Sequence, residues 1–244
     1  MTTSLSNAVA DQLAANLKQV RDRIAAACQR VGRSADDVTL IAVTKYAPLE
    51  WVRGLIELGV TDFGESRPQQ LIARAAELPT HVRWHQIGHL QRNKAESLLP
   101  VVARIHSVDS IRLIEQLAKS AQQRGCRPRV LLEVNVMGEA SKDGFATNDL
   151  VAAWSEIVEQ TALEIDGLMT MAPLGATADD ARPAFRGLRE LQDRLVEMSS
   201  GRIALPHLSM GMSGDFEVGI EEGATLVRVG SGLFAGLTAE VDQA

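Results

Sequence analysis

The sequence is poor in cysteine, has no basic excess and contains no long apolar segment. Its 244 residues include only Cys28 and Cys126, too few for a disulfide framework. A count of 25 basic against 31 acidic residues argues against a nucleic-acid-binding surface. No segment approaches the roughly 20 apolar residues of a membrane span, and Met1–Leu13 lacks the apolar core of a signal peptide. We therefore expect a soluble cytoplasmic protein that binds neither nucleic acid nor membrane.

Internal repeats, low-complexity tracts and Pro/Gly-rich linkers are also absent, which favours one domain over residues 1–244. Helix-like segments, such as Ile111–Arg124, alternate with strand-like ones after an amphipathic helix within about residues 1–32. Eight strand candidates end near Lys45, Ser66, Gly88, Asp109, Val136, Met171, Gly211 and Ser231. This order is typical of a (β/α)8 barrel or of a doubly wound sheet. We favour a single α/β TIM barrel over residues 39–237 with an extra N-terminal helix, because small and polar residues crowd the strand ends.

Lys45 is the first candidate site residue, at the end of the apolar run Thr39–Thr44. An ammonium group at the inner end of a buried strand costs several kcal/mol unless it is paired or neutralised. A neutral lysine amine is the form that attacks an aldehyde to make an imine. The pattern therefore predicts covalent capture of a carbonyl cofactor, with a lysine that reaches solvent from a strand end as the alternative.

Two glycine-rich segments follow the seventh and eighth predicted strands. Leu208–Gly214 and Arg228–Gly232 each combine glycines with hydroxyl side chains. Glycines let backbone N–H groups approach an anion, and the loops after barrel strands seven and eight frequently form a phosphate site. Tight turns alone would explain either segment by itself. Because the first and eighth strands are neighbours in a closed barrel, one ligand can span Lys45 and both segments.

Longer motifs identify a family. The sequence contains Val43-Thr44-Lys45 with Pro48, Phe63-Gly64-Glu65, Trp84-His85-Gln86-Ile87-Gly88-His89-Leu90-Gln91, His106-Ser107-Val108-Asp109-Ser110, Gly167-Leu168-Met169 and Leu208-Ser209-Met210-Gly211-Met212-Ser213. Together, over about residues 10–237, they resemble the pyridoxal phosphate homeostasis protein family. The resemblance implies a barrel similar to the N-terminal domain of alanine racemase. It also implies that pyridoxal 5′-phosphate (PLP) is bound as a lysine aldimine, by a carrier or buffer of the cofactor without established turnover.

The resemblance also implies roles for individual residues. The aldimine lysine falls on Lys45, and Arg228 matches the arginine that faces the pyridine nitrogen. An arginine does not give up its proton, so it would make the ring a weak electron sink, which suits storage or modest racemisation. The alternative for Arg228 is a salt bridge at the barrel end. The family's phosphate contacts fall on Ser209, Gly211, Gly230 and Ser231.

Two further cofactor contacts come from strand ends. Ser66 stands where the family has an asparagine near the cofactor, and because its side chain is shorter we expect any contact there to be weaker or bridged by water. Asn135 ends the fifth predicted strand and lines the same mouth, unless it only caps the chain locally. The end of the eighth strand reads Phe234-Ala235-Gly236-Leu237 where the family commonly has Phe-Gly-x-Arg.

Racemisation is the alternative function, and it needs an acid and a base on opposite faces of the bound amino acid. Lys45 supplies one such group. In racemases with this barrel the other is a tyrosine from a second domain, which we expect this chain to lack. The only tyrosine, Tyr46, would point away from the barrel interior if the strand continued past Lys45. We therefore expect a carrier rather than a racemase; a purely structural interaction module would need neither PLP nor Lys45.

Other polar residues refine the carrier hypothesis. Lys142 follows the fifth strand and either takes cofactor transiently or is a solvated turn lysine. His89, Gln91, Asn93 and Lys94 form a polar rim that could meet phosphate, an apo PLP-dependent enzyme or water. Their spacing is not that of a metal site. For oligomeric state we expect a monomer or a weak homodimer.

Overall fold

The chain forms a closed parallel β-barrel in the computed structural model, which describes residues 5–139, 142–173, 175 and 177–238. The strands are β1 Thr39–Val43, β2 Asp62–Glu65, β3 Arg83–Gln86, β4 Val102–Val108, β5 Arg129–Asn135, β6 Phe145–Ala146, β7 Glu164–Met169, β8 His207–Ser209 and β9 Leu226–Val229. All pairings are parallel, and β1 pairs with both β2 and β9. Because β4 also pairs with β5, eight strands close into a ring and the predicted barrel is confirmed.

A ninth strand, β6, lies outside this ring and was not predicted. Its two residues pair with the end of β5, at Val134 and Asn135. A two-residue strand is too short to show hydrophobic alternation, so the sequence contains no signal for it. The seventh and eighth predicted strands are therefore β8 and β9.

The helices follow the strands as predicted. They are α1 Asn7–Arg30, α2 Leu49–Glu57, α3 Pro68–Glu77, α4 Arg92–Leu98, α5 Ile111–Arg124, α6 Thr147–Val158, α7 Ala178–Met198 and α8 Phe216–Glu221, with a 3₁₀ turn over Ala35–Asp37. The predicted bounds of α5 are confirmed, because Ser110 precedes the helix with extended backbone and Gly125 ends it in the left-handed conformation. No helix in the described part of the chain is both long and apolar enough to cross a membrane.

The N-terminal helix α1 completes the outer layer of the barrel. It buries Leu13, Leu17, Val20 and Ile24 and contacts both α2 and α8. Within residues 177–238 no helix follows β9. α1 therefore occupies the outer position between α8 and α2 that such a helix would take, and is part of the ring of helices. That residues 1–244 form one domain stays a prediction.

The hydrophobic core has two separate parts. The larger lies between the strands and the surrounding helices. The smaller consists of Ile41, Leu131, Met169 and Leu226, which are all buried side chains of barrel strands. Because these four residues are separate from the layer beneath the helices, they pack inside the barrel. The rest of the interior has room for polar groups.

Close contact between β7 and β8 depends on Gly167. A Cβ atom at this position would overlap the backbone carbonyl of His207. We expect Gly167→Ala to lower the free energy of unfolding by about 3 kcal/mol, because backbone cannot move aside as a side chain can. Urea denaturation checks this. The matched control is Gly214→Ala, where a Cβ meets nothing within 4 Å; equal stability of the two variants would contradict the packing described here.

Candidate functional site

A cavity of about 790 Å³ opens at the carboxyl ends of the strands. The turn after β1 contributes Lys45 to its lining, and the end of β9 contributes Arg228, Gly230 and Ser231. Ser66, after β2, also lines it. The structure therefore brings five of the eight predicted cofactor-binding residues to one cavity.

Lys45 lies in a turn two residues beyond the end of β1, and it is exposed. The argument that a buried ammonium marks this lysine is therefore wrong, because the strand ends before the side chain enters the interior. Its Nζ atom lies 5.0 Å from the centre of the Tyr46 ring. The strand ends before Tyr46, so the alternation on which its expected outward direction depended does not apply; Tyr46 is exposed and lines the cavity mouth beside Lys45.

A buried ion pair holds the turn that carries Lys45. Glu65, at the end of β2, accepts a hydrogen bond of 2.6 Å from the Thr44 hydroxyl and lies 3.0 Å from Arg74 of α3. Arg74 also donates to the carbonyl of Ala47 at 2.6 Å. Thr44 and Ala47 flank the turn on both sides. The pair therefore fixes the backbone from which Lys45 extends.

The loops after β8 and β9 both line the cavity, and some of their backbone N–H groups are unpaired within the described part of the chain. The Ser213 hydroxyl accepts hydrogen bonds from the N–H groups of Gly230 and Gly232, at 3.2 and 3.3 Å, and so joins the two loops. The N–H groups of Ser213, Gly214 and Ser231 have no acceptor among the described residues. Three unpaired donors on two adjoining loops make an anion-binding arrangement. Ser213 was missed as a single residue, although it lies in the predicted glycine-rich segment.

Ser209 and Gly211 do not line this cavity. Ser209 is fully buried, and its hydroxyl contacts His106 Nδ1 at 2.8 Å and accepts a hydrogen bond from Arg228. At Gly211, with φ of 93°, a Cβ would meet the backbone of Phe216, and its carbonyl accepts from the Arg228 N–H. These two residues support the loop and the arginine from beneath.

Asn135 is also absent from the cavity lining. Its Oδ1 accepts a hydrogen bond from the Glu139 N–H at 3.0 Å, and its Nδ2 donates to the Glu139 carbonyl at 2.7 Å. The side chain thus folds the loop after β5, which is the local role left open as the alternative.

Arg228 and Glu133 are buried ionisable residues that line the cavity. Burial lowers the pKa of Arg228 to about 10, partly offset by the charges of Glu133 and Asp215, so the guanidinium stays charged near neutral pH. Burial raises the pKa of Glu133 to about 7, against the influence of Arg228. Glu133 was missed because a single acid within a buried strand gives no motif.

The predicted polar rim lies at the other side of the mouth. His89 approaches Asp109 at 3.1 Å and Asp143 at 3.5 Å, and the three form a cluster from three separate loops. His89, Gln91 and Asn93 line an open groove of about 1110 Å³, and His89 also lines the cavity. Spacing along the chain could not predict this cluster.

Lys142 lines the groove and not the cavity. Its Nζ lies 2.8 Å from Glu139 and donates to the carbonyls of Met171 and Ala172 at 3.3 and 2.7 Å. Transient capture of cofactor by Lys142 stays a prediction. Through these contacts Lys142 joins the loop after β5 to the segment after β7.

Comparison with known proteins places this geometry in a family. The family model for the alanine racemase N-terminal domain matches residues 10–238. The pyridoxal phosphate homeostasis protein of Aquifex aeolicus is 41% identical over 219 residues, which cover 89% of this chain and 95% of that protein. The homologue of the same name from Pseudomonas aeruginosa is 39% identical, with 91% and 94% covered. The chain belongs to the pyridoxal phosphate homeostasis protein family.

Solved structures agree with this assignment. PipY of Synechococcus elongatus, determined with PLP bound, superposes with a TM-score of 0.80 at 35% identity and covers 91% of this chain and 99% of PipY. Alanine racemase of Clostridium difficile superposes with a TM-score of 0.71 at 17% identity, covering 94% of this chain and 58% of the racemase. The second likeness shows that the family shares the racemase barrel fold.

We expect Arg74→Ala to destabilise the protein by about 3–5 kcal/mol, because it leaves Glu65 buried without its charged partner. The control is Arg202→Ala, which removes an exposed pair with Glu159 and should cost less than about 1 kcal/mol. Chemical denaturation near neutral pH measures both. Similar small losses in the two variants would show that the pair does not hold the Lys45 turn.

Glu133 should make stability depend on pH. Its pKa is about 7 in the folded protein against an ordinary value of 4.5, so the folded state binds the proton more tightly. This contribution is complete below pH 4.5 and is lost as the pH rises through 7. Glu133→Gln should therefore exceed the wild type by about 2–3 kcal/mol at high pH and by little at acidic pH. Denaturation across pH tests this, with the exposed Glu159→Gln as control; a flat difference would contradict it.

Proposed function

We propose that this chain binds PLP covalently through Lys45 and serves PLP homeostasis as a carrier, without catalytic turnover of its own. The observation that carries the proposal is one cavity that combines a lysine amine, a buried arginine and three unpaired backbone N–H groups. Among the lysines of the described chain, Lys45 alone lines it. PLP offers the matching groups: an aldehyde, a pyridine nitrogen and a phosphate.

The residues present fit this cofactor. A volume of about 790 Å³ lies within the usual range for small-molecule sites. The N–H groups of Ser213, Gly214 and Ser231 would hold the phosphate, and Gly214 leaves space because a Cβ there would meet nothing within 4 Å. When PLP is bound, its aldehyde condenses with a lysine amine to an imine and releases water.

Arg228 favours storage over turnover. Its guanidinium would face the pyridine nitrogen as a donor that keeps its own proton, so the ring would gain little power to withdraw electrons. Lys45 is exposed at the mouth, where water or the amine of another protein can reach the imine. We propose that bound PLP passes from here to apo PLP-dependent enzymes.

Covalent trapping tests the attachment. Wild-type protein incubated with PLP and reduced with borohydride should carry one pyridoxyl group on the peptide that contains Lys45, as located by mass spectrometry. Lys45→Ala should lose this label, while Lys142→Ala should retain it. Labelling that persists in Lys45→Ala at the wild-type level would overturn the assignment of Lys45.

Turnover needs a separate assay. Loaded wild-type protein should racemise L-alanine no faster than the same concentration of free PLP, while the loaded protein should restore activity to an apo PLP-dependent enzyme. Racemisation that depends on Lys45 and exceeds the rate with free PLP would replace the carrier with an enzyme.

A further inference from the structure

A chain of hydrogen bonds crosses the barrel interior from Arg228 to the opposite face. Arg228 Nη1 donates to the Ser209 hydroxyl, which lies 2.8 Å from His106 Nδ1. His106 Nε2 lies 2.9 Å from His85 Nδ1, and His85 Nε2 lies 3.0 Å from Asp62 Oδ1. All five side chains are buried. We call Ser209, His106, His85 and Asp62 the relay.

With both histidines neutral, the chemistry of the groups assigns one direction to every bond. An arginine only donates and a carboxylate only accepts, so the two ends of the chain are fixed. His85 must donate from Nε2 to Asp62, which makes its Nδ1 the acceptor for Nε2–H of His106. His106 Nδ1 then accepts the Ser209 hydroxyl proton, and the Ser209 oxygen is free to accept from Arg228. Both neutral rings then carry their proton on Nε2, whereas a charged His85 would donate from both nitrogens and reverse the bonds between His85 and Ser209.

The surrounding charges are consistent with neutral histidines. Burial lowers the pKa of both, and that of His106 most. His85 faces Asp62, Arg104 and Arg83, while the charges that face His106 belong to Arg228 and Arg104, with His85 and His207 as titratable neighbours. Asp62 stays ionised: burial opposes this, but hydrogen bonds from His85 and Arg83 hold its pKa far below the usual value.

The relay ends far from the cofactor cavity. Asp62 is the first residue of β2, at the amino-terminal face of the barrel, where it lines a separate cavity of about 470 Å³. At the other end, Arg228 Nη2 donates to the Thr170 carbonyl at 3.0 Å. Arg228 is thus fixed by two hydrogen bonds, and only the Ser209 bond connects it to the carboxylate of Asp62.

We propose that the relay is a positioning device that holds Arg228 in one orientation and couples its charge to Asp62, so that a carboxylate on the opposite face of the barrel tunes the ring of bound PLP. The polarised bonds place the negative end at Asp62 and the positive end at Arg228. Ser209, His106, His85 and Asp62 act through Arg228 and do not touch the cofactor. This inference rests on the proposed function, because the ring is that of PLP.

The first test needs no cofactor. In protein labelled with ¹⁵N-histidine, NMR should show His85 and His106 as neutral rings with the proton on Nε2, without titration between roughly pH 6 and pH 8. Variants at the other three histidines, His81, His89 and His207, assign the signals. A proton on Nδ1 of either ring, or titration in this range, would overturn the direction of the relay.

The second test reads the cofactor. In Asp62→Asn loaded with PLP, the pH midpoint of the absorption change of the bound cofactor should move by at least about half a pH unit from that of the wild type. Ser209→Ala, which cuts the relay next to Arg228, should move it in the same direction. Glu222→Gln is the matched control, because it removes the charge of a buried carboxylate that pairs with Arg182 at 3.0 Å, and neither group faces the relay histidines.

The outcomes separate the two proposals. A midpoint that moves in Asp62→Asn and Ser209→Ala but not in Glu222→Gln supports the relay. Equal midpoints in all three variants, or equal shifts in Asp62→Asn and Glu222→Gln, would overturn it. If wild-type protein takes up no PLP, the proposed function fails, and the histidine NMR spectrum still decides whether the relay exists.

Discussion

The buried guanidinium of Arg228 needs polar and charged partners, and the barrel interior supplies them. A cation removed from water is costly unless hydrogen-bond acceptors and negative charges around it compensate. Arg228 finds the Ser209 hydroxyl, the Thr170 carbonyl and the nearby charge of Glu133. These partners come from different strands, and closure of the sheet brings them together. The arginine thereby becomes a rigid donor at the floor of the cavity.

The lysine proposed to bind PLP is positioned by its neighbours in the chain and not by contacts of its own side chain. Lys45 is exposed, and the order in its surroundings comes from backbone contacts on either side of it. The buried pair of Glu65 and Arg74 fixes Thr44 and Ala47, which bracket the turn. A well-ordered backbone that carries an exposed amine suits the proposed role of Lys45, in which the lysine accepts and releases PLP.

The sequence predicted the architecture well, because apolar runs and helical periodicity report burial directly. The bounds of α5 came from such a pattern, and the structure adds the left-handed Gly125 that ends the helix. The residues of the site were harder to predict than the fold. Ser209 is within a correctly predicted segment, yet its side chain turns into the barrel to bind Arg228, while Ser213 faces the cavity. Which hydroxyl of a glycine-rich segment faces a ligand depends on a few backbone angles that composition does not reveal.

Contacts between distant parts of the chain account for the remaining differences. Glu133 interrupts an apolar run in β5, where a lone polar residue is uninformative until its partners are known. Because β1 ends at Val43, Lys45 and Tyr46 lie exposed in the turn at the cavity mouth, although Lys45 was expected at the end of a buried strand. The network around Glu65 joins residues 21 and 9 positions away along the chain, at Thr44 and Arg74. Such pairings emerge only when the barrel closes.

The most direct test of the account is a crystal structure of the protein with PLP. Continuous electron density should run from Lys45 Nζ to the cofactor, with the phosphate at the N–H groups of Ser213, Gly214 and Ser231 and the pyridine nitrogen at Arg228. Cofactor density in the groove beside His89, or a ring turned away from Arg228, would contradict it.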